Sequence, residues 1–196
     1  MPSPMRFAAA IVCLSRSGSH MLASCLASHP SVGSFGEFVG RVRPVPFPSE
    51  PFVIGIIMYN QWDRALAEGV EIERVIHLLR DPHRTAASAL QNRAQKELNG
   101  AAHRAHVKHG EALPRLHPLD EAQVAAEAAD NTVRQEEFRC RLRDRVVLEV
   151  RYEALTSGRS ISELPPTEAI RLLEFLGLPA ARLHTRYVKG GPPEIG

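Results

Sequence analysis

Between an apolar run at 7–14 and a helix beginning at Ser19, the chain sets Arg16, Ser17, Gly18 and Ser19 side by side, with His20 next. A guanidinium, two hydroxyls and a glycine that permits a tight turn are the parts of an anion-binding loop. Placed between a buried strand and a helix, such a loop offers backbone N–H groups and the positive helix end to a negative ligand. A plain turn is the alternative. The nucleoside-triphosphate version of this layout reads G-x-x-x-x-G-K-[ST]. Here its first glycine and its lysine are absent, and no strand ends in an aspartate suited to magnesium. A magnesium-dependent P-loop kinase is therefore the weaker reading.

A second set of chemically able residues is His103, His106 and His109, three apart. Metal ligation is one use of such histidines. Their cationic neighbours Arg104, Lys108 and Arg115 favour a solvated, mobile lid over 99–118 instead. No metal is expected.

These residues need elements to hold them. Apolar runs at 7–14 and 52–59 ("FVIGIIMY") read as strands buried on both faces, with further strands at 74–80 and 145–152 and a short one at 32–35. Helices are expected over 19–28, 61–69 and 119–142, the last with Val124, Ala128, Gln135, Phe138 and Leu142 on its inner face. Another opens at Pro82 behind the N-cap Asp81, with Ala87, Leu90, Ala94 and Leu98 as its core stripe. Pro165 and Pro166 start a helix that Gly177 closes. Alternating strands and helices predict an α/β fold, one domain over 1–196, with a mainly parallel central sheet flanked by helices.

The bulk numbers fit that outline. At 196 residues the chain can bury a real core, and 44% hydrophobic with 23% charged residues is ordinary for a soluble domain. A net charge of +2, not massed into a basic tract, argues against a general nucleic-acid partner. Three cysteines without metal-type spacing point to free thiols and a cytoplasmic location. "LASC" at 22–25 has the look of a lipoprotein cleavage box, but Arg16 and His20 interrupt the apolar stretch that a leader requires. No run approaches the roughly 20 apolar residues of a membrane span.

"SRSGSHML" at 15–22 resembles the 5′-phosphosulfate loop of the sulfotransferases that use 3′-phosphoadenosine-5′-phosphosulfate (PAPS). "RDPHRTAAS", Arg80 to Ser88, is similar to that family's 3′-phosphate motif, an arginine at a strand end with a serine eight residues later. The spacing is physically sensible, because Ser88 lies about two helical turns past Asp81 and returns to the face of the strand–helix corner. "VRYEAL" at 150–155 resembles the strand whose tyrosine, here Tyr152, lies by the adenine. "YVKGG" resembles the late loop that closes on the 3′-phosphate, through Lys189 and Gly190. "RLLEFLGLP" is also typical of bacterial members.

The resemblance implies a P-loop-like fold with a PAPS-binding strand–loop–helix, and transfer of a sulfuryl group to a hydroxyl of a small-molecule or carbohydrate acceptor. PAPS would be co-substrate and 3′,5′-adenosine bisphosphate (PAP) the product. Arg16, Ser17, Gly18, Ser19, His20, Arg80, Ser88, Tyr152, Lys189 and Gly190 would hold the nucleotide. Arg16 would also stabilise the charge that grows on the leaving oxygen. Glu37 resembles the general base of bacterial carbohydrate sulfotransferases of the trehalose-sulfating type, with His20 as runner-up; His77, mid-strand, reads as a core histidine.

The chain also departs from the family. Ile57 stands where many relatives have a lysine, Met21 where cytosolic animal members have an adenine-stacking tryptophan, and six residues follow Gly190. A non-catalytic PAP-binding module thus remains an alternative, and a homo-oligomer is left open.

Overall fold

The computed structural model describes residues 5–39, 48–99, 107–108, 117–156, 162–185 and 187–188. Five parallel strands form its central sheet: β1 (Arg6–Cys13), β2 (Val32–Glu37), β3 (Phe52–Met58), β4 (Glu71–Leu79) and β6 (Val147–Arg151). They lie in the order β2-β3-β1-β4-β6. A two-residue ribbon pairs β5 (Val107–Lys108) antiparallel to β7 (Tyr187–Val188). The helices are α1 (Ser19–Leu26), α2 (Trp62–Ala67), α3 (Pro82–Asn99), α4 (Glu121–Arg141), α5 (Tyr152–Thr156) and α6 (Pro166–Leu176).

The apolar runs are continuous because the sheet is covered on both sides. Along β1, Ala9, Ile11 and Cys13 join Leu22, Leu26 and Leu172 in one core cluster. Alternate residues Ala10 and Val12 join Ile57, Trp62 and Phe138 in the other. This period of two is what strand geometry imposes, each face being buried under different helices. The fold is thus α/β, with a parallel five-stranded sheet between helices.

Several boundaries differ from expectation. β2 runs on to Glu37, so Glu37 ends a strand instead of standing on the loop after one. A register shift against β3 between Ser34 and Gly36, with Gly36 at φ 67°, absorbs the irregularity that hid the extension. In α3 the buried side chains are Thr85, Ala86, Leu90, Gln91 and Gln95; Leu98 is 68% exposed and is not core. The stripe rotates because Gln91 turns inward to bind both backbone groups of His117, which clamps the chain entering α4 against the middle of α3. Strand β6 stops at Arg151, and Tyr152 opens α5. Pro166 and Gly177 bound α6 as expected, with Gly177 at φ 71°.

Candidate functional site

The first strand delivers the loop to the middle of the sheet edge, between the ends of β3 and β4. Arg16 takes φ 69° and Gly18 φ 94°, so two residues in the left-handed region wind the loop tightly. For a non-glycine such as Arg16 this conformation is strained, and strain of that kind gathers at binding sites. Gly18 has a second constraint. A Cβ there would come within 2.4 Å of the Tyr152 ring, so the glycine lets Tyr152 close over the loop.

Gly18 is the N-cap of α1, and no side chain caps that helix. The first-turn N–H groups are left to some other partner. Ser17 is fully buried, and its Oγ has no hydrogen-bond partner among the described residues. Buried hydroxyls are almost always bonded, so an orphaned one at the start of this helix leaves a position for a partner from outside the described residues.

Arg80 follows the last residue of β4 and is 6% exposed. Its Nη1 donates to the carbonyl oxygen of Arg16 at 2.8 Å, and its guanidinium carbon lies 4.8 Å from the Tyr152 ring centroid. Its Nε is buried with no partner among the described residues. Burial pulls the Arg80 guanidinium below its ordinary pKa, and burial with the Arg80 charge does the same to Arg16. Two cations share one pocket edge. An anion between them removes the repulsion and supplies the missing acceptors.

Backbone ties hold Arg80 in place. Gln135 of α4 donates to its carbonyl at 2.9 Å. Asp81 caps α3 as expected, accepting from Arg84 N at 2.9 Å. That bond commits its carboxylate to the helix, and Glu153 in turn accepts from the Asp81 N–H. Ser88 is half-buried on the second turn of α3, roughly 9 Å along the axis from Pro82.

His20 and Glu37 meet. The His20 Nε2 lies 2.9 Å from Glu37 Oε1, with side chains 28% and 39% exposed. A strand-end carboxylate and a residue from the first turn of α1 therefore form a solvent-reaching pair beside the loop. Such a pair can take up a proton. Lys189, Gly190 and the three lid histidines lie outside the described residues.

The structure places Arg16, Ser17, Gly18, Arg80 and Tyr152 side by side. The sequence reading missed Gln135 as the tether of Arg80, Glu153 as the partner of the Asp81 N–H, and the pairing of His20 with Glu37 as one unit. His77 is buried as anticipated, yet it bonds to Tyr59 and Glu149. The signal available for that contact was the charge of Glu149 inside "VVLEV", an otherwise apolar strand.

No protein-family model matches the chain, and no curated protein matches it in sequence. Among solved structures it resembles the crystal structure of mouse sulfotransferase SULT7A1 complexed with PAP, with a TM-score of 0.51 at 16% identity. The match covers 88% of this chain and 58% of that one. At that identity the likeness establishes the fold. No described helix is long and apolar enough to cross a membrane.

Proposed function

We propose that this chain is a PAPS-dependent sulfotransferase, a cytoplasmic enzyme acting on a hydroxyl of a small molecule or carbohydrate. One observation carries the reading: Arg16 and Arg80 converge on a helix start with no N-cap side chain, where the buried Ser17 Oγ and Arg80 Nε have no partner among the described residues. That is a site built for an oxyanion. The orphaned atoms and the ring of Tyr152 fit a nucleotide with phosphate at both ends, in keeping with the PAP-bound neighbour.

When bound, PAPS supplies a sulfuryl group and a phosphate leaving group. The residues of the chain do the rest. Arg16, the Ser17 and Ser19 hydroxyls and the N–H groups of the α1 start stabilise the negative charge that grows on the leaving oxygen. Arg80 and Ser88 take the 3′-phosphate, Arg80 through charge-assisted bonds. Tyr152 holds Arg80 from the other side and offers its ring to the base. Glu37 accepts the acceptor's proton, and His20, at 2.9 Å, orients the carboxylate and shares the proton afterwards. The sequence resemblance assigns Lys189 and Gly190 to the 3′-phosphate and the lid at 99–118 to the acceptor. Because a sulfuryl group carries less charge than a phosphoryl group, an arginine and a helix end suffice without a metal.

The test is transfer of labelled sulfate from PAPS to a panel of hydroxylated acceptors, with and without chelator. Label in any acceptor in the presence of chelator is the expected result. Tight PAP binding with no transfer to any acceptor would instead identify a non-catalytic nucleotide-binding module.

A further inference from the structure

The face of the sheet opposite α1 holds a chain of polar contacts, running from buried His77 out to the solvent-reaching Glu149 and Arg139, that the transfer chemistry does not use. His77, in the middle of β4, is fully buried. Its Nε2 lies 2.6 Å from the Tyr59 hydroxyl and its Nδ1 3.4 Å from Glu149 Oε1. Glu149 accepts from Arg139 Nε at 2.5 Å, and Arg139 also pairs with Glu136. The Tyr59 ring stacks on Phe138 at 4.1 Å and 5°, and Trp62 meets Phe138 edge-on.

One proton arrangement satisfies every member. Neutral His77 donates Nδ1–H to ionised Glu149 and accepts the Tyr59 O–H at Nε2. Burial lowers the His77 pKa and raises that of Tyr59, which keeps both neutral. Tyr59 is accordingly not a phenolate base; its hydroxyl is committed to an imidazole with no access to solvent.

Position gives the chain of contacts its meaning. His77 and Glu149 are register partners across β4 and β6. Three residues further on, just past the ends of the same two strands and on the opposite face, come Arg80 and Tyr152, the guanidinium lying over the ring. Tyr59 directly follows β3, beside the end of β1 where the anion loop begins.

We propose that Tyr59, His77 and Glu149 form a proton-sensitive positioning unit, which fixes the ends of β3, β4 and β6 for nucleotide binding and loosens them when His77 is protonated. This rests on the nucleotide-binding reading above. Protonated His77 carries a hydrogen on both nitrogens. Tyr59 then accepts from Nε2 only by turning its own O–H away, which leaves a buried donor without a partner. The charged and titratable groups facing the unit pull in both directions. Glu149 of β6 and Glu136 of α4 favour the imidazolium, Arg139 of α4 opposes it, and Cys13 of β1 lies near Tyr59. Burial settles the balance for the neutral form.

The experiment is PAP binding by calorimetry from about pH 8 down to about pH 5, the range in which a histidine titrates. Wild type is compared with His77→Gln and Tyr59→Phe. The phosphates of PAP also titrate here, so the readout is the difference between proteins. Wild-type affinity should fall more steeply than that of His77→Gln, by up to about tenfold per pH unit for one linked proton. Tyr59→Phe keeps the ring on Phe138 and removes only the bond that favours neutral His77. Its steep limb should move to higher pH, which keeps the test alive if His77→Gln does not fold. Trp62 is the sole tryptophan, so its fluorescence follows the unit independently of nucleotide. Superimposable pH dependence in all three proteins overturns the proposal. Absence of PAP binding at every pH overturns the functional reading and the unit's role with it. A Trp62 acid transition that is present in wild type and lost in His77→Gln tells that failure apart from failure of the unit itself.

Discussion

The two sides of the sheet leave their polar groups in opposite states. On the α1 side, Ser17 Oγ and Arg80 Nε are buried without partners among the described residues, and two arginines lie close together. On the α4 side, Tyr59, His77, Glu149 and Arg139 satisfy one another end to end. Leaving a buried donor or acceptor unpaired costs about 1–3 kcal/mol. On the proposed function, that contrast separates the nucleotide site from the framework. The part-buried His20–Glu37 pair stands on the first side, beside the start of α1.

The largest effect expected from breaking this contrast is at Glu37. Glu37→Gln keeps the shape and can still bond to His20, but it cannot accept the acceptor's proton. Loss of a general base costs on the order of 10²–10⁴ in rate. The fall should appear in kcat while stabilisation by PAP stays near wild type, since Glu37 faces the acceptor. A Glu37→Gln enzyme within a few-fold of wild type would move the base role to His20, and His20→Asn is then the informative variant.

Arg16→Ala should follow, with about 10²–10³ lost in kcat, the usual scale for removing a donor to a developing oxyanion. PAP affinity should fall less, because the charge on the leaving oxygen is largest in the transition state. Arg16→Lys should recover part of the rate without the two-pronged geometry. If PAP affinity dropped and kcat held, Arg16 would be an anchor in the ground state only.

Arg80→Ala should weaken PAP binding by roughly 10- to 100-fold, the loss of a charge-assisted contact. It should also abolish the advantage of PAP over AMP in thermal-shift titrations without magnesium. Equal stabilisation of the wild type by AMP and PAP would remove Arg80 and Ser88 from the 3′-phosphate.

The smallest effect lies on the satisfied side. Burial depresses His77 below the ordinary histidine value of about 6.5. The unfolded chain therefore binds the proton first, and stability falls as pH drops from about 6.5 toward the folded value. Above that window the contribution is fully present. Glu149, held below the usual carboxylate range mainly by Arg139, loses its contribution only further into acid. Urea unfolding midpoints against pH should show the His77 limb flattened in His77→Gln. Identical limbs in both proteins would assign acid lability to other groups.

Most of the architecture was legible because both-face burial writes itself as unbroken apolar strings such as "IVCLS" and "FVIGIIMY". Helix limits marked by Pro166 and Gly177 were legible for equally local reasons, a fixed φ and a freely adopted left-handed one. The extent of β2 was not, since a bulge at Ser34–Gly36 breaks the period by which a strand is recognised. Nor was the inner face of α3. Gln91 and Gln95 occupy it, and a polar residue turns inward only when a partner such as the His117 backbone waits there.

The sequence by itself determined the chemistry available: an arginine, hydroxyls and a glycine at a strand–helix junction, and an arginine at the end of another strand. These are properties of neighbouring residues. Tertiary structure alone decided that Arg80 reaches the Arg16 carbonyl, that Tyr152 closes against Gly18, and that His20 meets Glu37. It alone also built the chain from Tyr59 to Arg139. Each of these joins residues far apart in sequence, and their separation in space is set by the order in which strands pair and by the helices laid over them. No local pattern encodes that distance.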